Sequence, residues 1–408
     1  MGRPLIIAKG TYGDIFPMLA LARALERRGQ APLLATESRH RAAAESLGLP
    51  VHYLDPDPAG GAAGSAAGAG RFLSRRRLRL EVEVLSALAP HSDLVLGSQL
   101  AFFGPAVAAR AGKPWVYCPL LPLTLDSRLD PSLYPGLEWL QRHAAACPHL
   151  QSGARALARG VSRLALAPVL AERRRLSPRD RLHPLFEGLH SPLANLLLAS
   201  PLLVPPVHDW PPATSVLGFS WFAPTHLGDA ARVEALQRFL AAGAPPLLFL
   251  LAGTARLRPG RFFTTAIAAS EALGQRAIVV AARRFHDAIP PHPHLLVTGY
   301  LPYQLLFQRL TAVVHSGGIG TIGWCLSQGL PSLLLPRNLD HFDNAWRAER
   351  LGVAQVWRGG RLSAPALAER LAALQANEAL RERLKALAPL VAAEDGAGLA
   401  AARISAWL

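Results

Sequence analysis

The densest run of chemically useful residues lies between Thr311 and Asn344, TAVVHSGGIGTIGWCLSQGLPSLLLPRNLDHFDN. His315 and Ser316 lead into Gly317, Gly318 and Gly320, and Thr321 follows. Glycines where a strand passes into a helix let the backbone approach a ligand closely. The free N–H groups and macrodipole of the helix terminus favour an anion there. With His315 and Thr321 as side-chain donors, this is the chemistry of a phosphate cradle. Asp340, His341 and Asn344 follow a second apolar run and offer polar groups at the same sheet edge. A second candidate is Asp14 in KGTYGDIFP, beside Gly10, Thr11 and Gly13. A carboxylate at the end of a first strand can take a proton from a hydroxyl. It can equally cap the next helix, and spacing alone favours the cap.

These residues need elements to position them. Thr311–Val314 is a β-branched apolar run of the kind a buried strand uses, and helical periodicity starts at Ile322. Ser332–Leu335 reads as the next strand, closed by Pro336. At the other end, Leu5–Ala8 is a strand, Met18–Arg28 a helix stopped by Gly29, and Pro32–Thr36 a second strand. That βαβ opening predicts a doubly wound α/β domain, whose ligands bind beyond the carboxyl ends of the strands. Further strands are expected at Asp93–Gly97, Trp115–Cys118, Leu196–Leu203 and Ser215–Gly218. Leu247–Leu251 and Arg276–Ala281 then start a second sheet.

The glycines admit another reading. Gly318-Ile-Gly320-Thr-Ile-Gly323 is formally GxGxxG, with Asp340 placed as a ribose-binding carboxylate would be, so an NAD-dependent enzyme stays open. Such a fingerprint ordinarily opens its domain, and this one follows several strands. Asp55-Pro-Asp57 and His292-Pro-His294 have metal-binding residue types but no fuller ligand set, and no metal is expected.

With 408 residues, half of them hydrophobic, two domains with sizeable cores are expected. No apolar run is long enough for a membrane helix. The N-terminus passes directly into a strand without the apolar region of a signal peptide. Cys118, Cys147 and Cys325 are too few and scattered for a disulfide framework, which fits a cytoplasmic location. The net charge of +15 comes mostly from arginine. No nucleic-acid motif accompanies it, so no nucleic-acid partner is expected. Peripheral contact with an anionic membrane suits the Arg-rich stretches at 71–79 and 136–182. The glycine- and alanine-rich segment Ala59–Gly70 is expected to be a loop.

VVHSGGIGT, GLPSLLLP and DHFDNAWRAERLG together resemble the donor-site signature of family 1 glycosyltransferases, in particular the bacterial sterol- and rhamnosyltransferase-like branch. KGTYGDIFPMLALARALERRG is similar to the same family's N-terminal motif, and TGYLPYQLLF and LGQRAIVVAA extend the likeness. The resemblance implies the α/β GT-B fold, two Rossmann-like doubly wound domains facing each other across a cleft. Residues 1–218 would bind the acceptor and 219–395 the nucleotide-sugar donor, with 396–408 a helix crossing back to the first domain. It also implies an inverting, metal-independent transfer of a hexose from a UDP- or dTDP-sugar, with no further cofactor.

Asp14 then becomes the expected base. Gly10, Thr11, Gly13, Gln99 and Ser127 would face a lipophilic acceptor: a sterol, carotenoid, lipid or polyketide. His315, Gly317, Gly318, Gly320 and Thr321 would hold the diphosphate, together with Gly253 and Thr254. Tyr300 and Leu301 would hold the base, and Asp340, His341 and Asn344 the sugar side. His341 stands where the family usually has glutamine, which leaves the sugar open. A catalytically silent nucleotide-sugar- or lipid-binding protein on the same scaffold is the alternative from another class.

Overall fold

The computed structural model describes the chain apart from residues 56–72, 144–146, 223, 225–228, 251–258, 282–285, 287, 288, 290, 291, 338, 359 and 360. It divides into two compact units, Met1–Phe222 with Glu394–Leu408, and Ala223–Ala393.

The first unit is built on a parallel sheet in the order β3-β2-β1-β4-β5-β6-β7. Its strands are β1 (Pro4–Ala8), β2 (Leu33–Thr36), β3 (Val51–Tyr53), β4 (Leu94–Gly97), β5 (Trp115–Tyr117), β6 (Asn195–Leu197) and β7 (Thr214–Val216). Leu5 pairs with Leu33 on one side and Val95 on the other. Every residue of β1 is buried, because a parallel sheet covered by helices has no wet face. The helices are α1 (Tyr12–Arg27), α2 (Arg41–Glu45), α3 (Arg75–Leu88), α4 (Gly104–Arg110), α5 (Glu138–His143), α6 (Pro148–Ala165) and α7 (Ala167–Leu176). Leu78 and Leu85 of α3, Val107 of α4 and Val169 of α7 share one core with Leu5, Val95 and Trp115 of the sheet.

Some boundaries differ from the sequence reading. α1 begins at Tyr12, although the pattern suggested Met18, and it carries Pro17 inside. Pro17 lies in the second turn and gives up the bond to the Gly13 carbonyl, a cost that the capping box and the buried apolar face offset. β6 stops at Leu197, well short of Leu203. The chain turns at Ser200, whose carbonyl accepts from Leu203 and Val204, and those apolar side chains are buried beyond the turn. The Arg-rich stretch 136–182 holds three helices, α5, α6 and α7.

The second unit carries a parallel sheet in the order β10-β9-β8-β11-β12-β13. Its strands are β8 (Leu247–Leu250), β9 (Ala277–Val280), β10 (Leu295–Thr298), β11 (Ala312–His315), β12 (Ser332–Leu334) and β13 (Ala354–Val356). The helices are α8 (Ala230–Ala241), α9 (Pro259–Ala272), α10 (Tyr303–Leu306), α11 (Ile319–Ser327), α12 (Leu339–Arg350), α13 (Ala364–Ala376) and α14 (Glu378–Ala392). β13 was not foreseen, since three residues are too few to show a strand period.

Both sheets therefore reverse their winding once, between β1 and β4 in the first unit and between β8 and β11 in the second. At such a point the crossovers leave on opposite faces and open a crevice at the carboxyl edge. The loop that carries Asp14 and the loop that carries Gln99 flank the first crevice. The glycine stretch flanks the second.

The last helix, α15 (Gly396–Ser405), belongs to the first unit and packs along α1. Glu394 accepts from Ser200 Oγ at 2.5 Å and from the Phe219 amide at 2.8 Å. Gly396 lies so close to the chain that a Cβ would sit 2.1 Å from the Gly218 carbonyl oxygen. Gly396→Ala is expected to cost about 2 kcal/mol through overpacking. Chemical denaturation would check it, and an unchanged midpoint would show that the contact relaxes freely.

Candidate functional site

In the first unit the chemistry hangs on the short loop Lys9–Thr11 between β1 and α1. Gly10 has φ +119°, where only glycine is at ease, and a Cβ there would lie 2.4 Å from Asp14 Oδ2. Its peptide is held on both sides. The N–H donates to Glu37 Oε2 at 3.0 Å. The carbonyl accepts from Arg39 Nη2 at 2.5 Å and from His40 Nε2 at 2.8 Å. Glu37 is buried, which opposes its charge, but Arg39, the Gly10 N–H and Lys9 outweigh burial and hold its pKa below the usual carboxylate value. Arg77 of α3 binds Asp55 at 2.8 Å and approaches Glu37 at 3.9 Å. Asp55 in turn accepts from the Ser38 amide at 2.7 Å. Lys9 pairs with Glu81 inside the same wall.

Asp14 stands in the first turn of α1, where it makes the capping contacts and one further contact across the sheet edge. Its Oδ2 accepts from the Thr11 N–H at 2.8 Å and from Thr11 Oγ1 at 2.9 Å, closing a capping box. Its Oδ1 accepts from Gln99 Nε2 at 2.6 Å, at the end of β4. Gln99 is buried, and its other amide atom, Oε1, accepts from the Leu120 N–H at 3.2 Å. That bond assigns which end of the amide faces Asp14. Asp14 itself is half-buried. Gly10, Thr11, Asp14 and Gln99 thus form one cluster, with Gly13 on its exposed rim. Ser127 is elsewhere engaged: its hydroxyl donates to Asp209 at 2.6 Å and accepts from the Leu129 and Asp130 amides.

In the second unit β11 ends at His315, which is 1% exposed. Its Nδ1 accepts from the Gly317 N–H at 3.2 Å, so the ring proton is assigned to Nε2, 3.9 Å from the sulfur of Cys325. Burial, with His341 nearby, pushes the His315 pKa down to about 3. Burial likewise lowers His341 to about 4. Both rings are therefore neutral at ordinary pH, and each offers a dipole rather than a cation.

Gly317 has φ +89° and turns the chain into α11. Gly318 is the N-cap of α11 and has no side chain with which to cap it, and the first N–H groups, as at any helix start, lack an intrahelical partner. A Cβ on Gly318 would lie 4.0 Å from both His341 Nε2 and Thr321 Oγ1, so both side chains stand beside the helix start. Among the described residues, nothing lies within 4 Å of a Cβ placed on Gly320. Asn344 Nδ2 donates to the Gly317 carbonyl at 3.2 Å and to Asp340 Oδ2 at 3.3 Å. Behind it, Arg347 Nε donates to fully buried Asp343 at 3.0 Å. Asp340, Asp343, Asn344 and Arg347 share one face of α12 at helical spacing. Burial, with Asp343 adding its charge, raises the Asp340 pKa to about 6.

Leu301 is fully buried and anchors its segment in the core of this unit. Tyr300 is half-buried, with its ring 6.1 Å from that of Tyr303. Gly253 and Thr254 lie outside the described residues. Among the described residues, no group of three or more His, Cys, Asp or Glu is placed to hold a metal ion.

The sequence reading passed over Glu37, Arg39 and His40, which hold Gly10. Their signal was weak but present, a charged TESRH run at the carboxyl end of the strand beside β1. It also passed over Tyr303, whose hydroxyl lies 3.5 Å from Thr321 Oγ1 and whose ring stands edge-on to Trp324.

Residues 271–398 match the family model described as "Erythromycin biosynthesis protein CIII-like, C-terminal domain". The chain is 27% identical to O-mycaminosyltylonolide 6-deoxyallosyltransferase of Streptomyces fradiae, over 99% of this chain and 97% of that protein. It is 24% identical to a sterol 3-beta-glucosyltransferase of Candida albicans over 85% of this chain, though only 24% of that longer protein. Its fold is similar to that of the Streptomyces sp. SF2575 glycosyltransferase SsfS6, complexed with thymidine diphosphate. That likeness has a TM-score of 0.64 at 21% identity and covers 100% of each chain.

The raised pKa of Asp340 has a sign that can be tested. The unfolded chain loses this proton near 3.8 and the folded chain near 6, so folding is favoured below the lower value. That stability is lost as pH rises through about 6. Asp340→Asn is therefore expected to raise Tm above about pH 7 and to leave it nearly unchanged below about pH 4. An equal shift at both pH values would mean that ionisation of Asp340 is not the cause.

Proposed function

Since the chain belongs to the family 1 glycosyltransferases with the GT-B fold, we propose that it moves a hexose from a UDP- or dTDP-sugar to a hydroxyl of a lipophilic acceptor, with inversion and without a metal ion. The observation that carries this reading is Asp14, fixed between Gln99 and Thr11 at the winding reversal of the first sheet.

In this reading the acceptor O–H gives its proton to Asp14 as its oxygen attacks the anomeric carbon. The new C–O bond forms as the bond to the diphosphate breaks, and the electron pair leaves with the diphosphate. Attack from the face opposite the leaving group inverts the centre. A carboxylate is a weak base towards an alcohol, so proton loss runs late, alongside bond formation. The residues around Asp14 keep one oxygen geometry throughout, so little reorganisation is needed in the transition state.

On the donor side, negative charge grows on the diphosphate. The uncapped start of α11 meets that charge with N–H dipoles, which strengthen as it grows. His315 and Thr321 add neutral donors. Because the rings of His315 and His341 stay neutral, this contribution does not change across the physiological range. Asp340, ionised above about 6, accepts hydrogen bonds from sugar hydroxyls. Tyr300, with Tyr303 beneath it, gives a pyrimidine ring a stacking surface.

The relatives support the donor and acceptor classes without fixing them. One similar structure is titled as a complex with thymidine diphosphate. The relatives' names include an O-mycaminosyltylonolide 6-deoxyallosyltransferase and a sterol 3-beta-glucosyltransferase.

Thermal stability against UDP, dTDP, GDP and NAD is the test. A pyrimidine diphosphate should stabilise the protein, and His315→Ala should abolish most of the shift. A shift with NAD alone would sink the donor assignment in favour of a dinucleotide site. Asp14→Asn should keep the diphosphate shift while lowering kcat by about a hundredfold to ten-thousandfold. Retained turnover in that variant would remove Asp14 as the base. Turnover that survives a chelator would support the metal-free step, and its loss would refute it.

A further inference from the structure

Helix α6 is built inside out. Ala154 is its one fully buried residue. Its arginines turn inward: Arg155 makes a two-pronged ion pair with Asp126 at 2.6 Å on each prong, and Arg159 reaches Asp126 and Glu187. Its large apolar side chains turn to solvent instead. Leu150, Leu157, Val161 and Leu164 follow one another at spacings of seven, four and three, which puts them on one face. They are 45%, 55%, 62% and 78% exposed. Trp139, on the neighbouring helix α5, is 70% exposed. A contiguous apolar face of this kind marks a surface that something apolar covers.

The charge around it says what. Arg163 Nη2 donates to the Arg181 carbonyl at 3.0 Å, which places the 179–182 loop beside the end of α6. Arg179 and Arg181 of that loop are exposed, as is Arg174 near the end of α7. A two-fold contact between copies would set this cationic rim against itself. In a chain with a net charge of +15 that is unfavourable. A bilayer with anionic headgroups satisfies both features: leucines enter the acyl boundary, tryptophan sits at headgroup depth, and arginines meet phosphate. Among the described residues no helix is long and apolar enough to cross a membrane, so the contact is with the surface.

We propose that the outer face of α5 and α6, with its rim of arginines, docks this protein on an anionic membrane. The inference does not depend on the transferase reading, and its test is physical rather than catalytic.

Purified full-length protein is floated with vesicles of phosphatidylcholine, alone or mixed with phosphatidylglycerol. Recovery should require the anionic lipid and fall with added salt. Leu157→Asp with Leu164→Asp should lower recovery by about tenfold or more, at unchanged Tm because both residues are exposed. Arg174→Glu with Arg179→Glu should lower it on anionic vesicles with the apolar face intact. Three results would overturn the proposal. One is equal recovery on neutral and anionic vesicles. Another is a concentration-dependent dimer that the leucine variants dissociate, making the face an interface between copies. The third is unchanged flotation of the leucine variants on anionic vesicles, which would show that the apolar face is not what binds.

Discussion

The first unit depends on how the peptide of Gly10 is held. A loop at the end of a central parallel strand has nowhere to send its N–H and C=O, because the ladder has ended and the neighbours diverge. Glu37 takes the N–H, and Arg39 and His40 take the carbonyl. A buried carboxylate is costly on its own, yet Glu37 has Arg39 in contact and Arg77 at 3.9 Å, so its charge is compensated where it sits. With the Gly10 peptide fixed, Thr11 caps α1 and Asp14 is delivered to Gln99 at 2.6 Å. Local capping and the candidate chemistry are then not rivals. The same carboxylate closes the first turn with one oxygen and faces the crevice residue with the other.

The second unit handles charge in a different way. Around its glycine turn stand dipoles: the start of α11, two neutral imidazoles and a hydroxyl. Neutral groups can be buried at modest cost if they are hydrogen-bonded, whereas a buried cation would need a permanent counter-ion that would compete with an anionic ligand. The one acidic group at the rim, Asp340, carries a penalty for its burial, visible as a pKa raised to about 6. Groups held in such unfavourable states recur at functional sites, where stability is given up for binding.

The basic surface has a structural logic once individual arginines are followed. Many are not free surface charge. Arg77, Arg155, Arg159, Arg173 and Arg347 are tied to carboxylates within their own unit. Arg174, Arg179 and Arg181 remain exposed, near the end of α7 and in the loop beside the end of α6. Composition alone could not separate these two populations, because the sequence spacing of Arg155, Arg159 and Arg163 is the same whichever way the helix is rolled.

Much was legible in the order of residues. Apolar runs such as LLFL and AVVH must be strands buried on both faces, and a strand, a glycine turn and a helix in succession dictate a doubly wound sheet. The glycine stretch after β11 was legible as a turn between strand and helix, and Gly317, at φ +89°, makes that turn. Less was legible where partners are far apart in the chain. Nothing in GTYGD shows that Gln99, eighty-five positions later, donates to Asp14. Nothing in TESRH shows that it holds Gly10. Those contacts exist because β1 lies between β2 and β4, and strand order is a property of the packed sheet. The inward turn of His315 and the outward turn of Leu157 and Leu164 belong to the same class. Residue type and period come from the sequence by itself; which way each face points is decided by what else occupies the neighbouring space, and that only the tertiary structure decided.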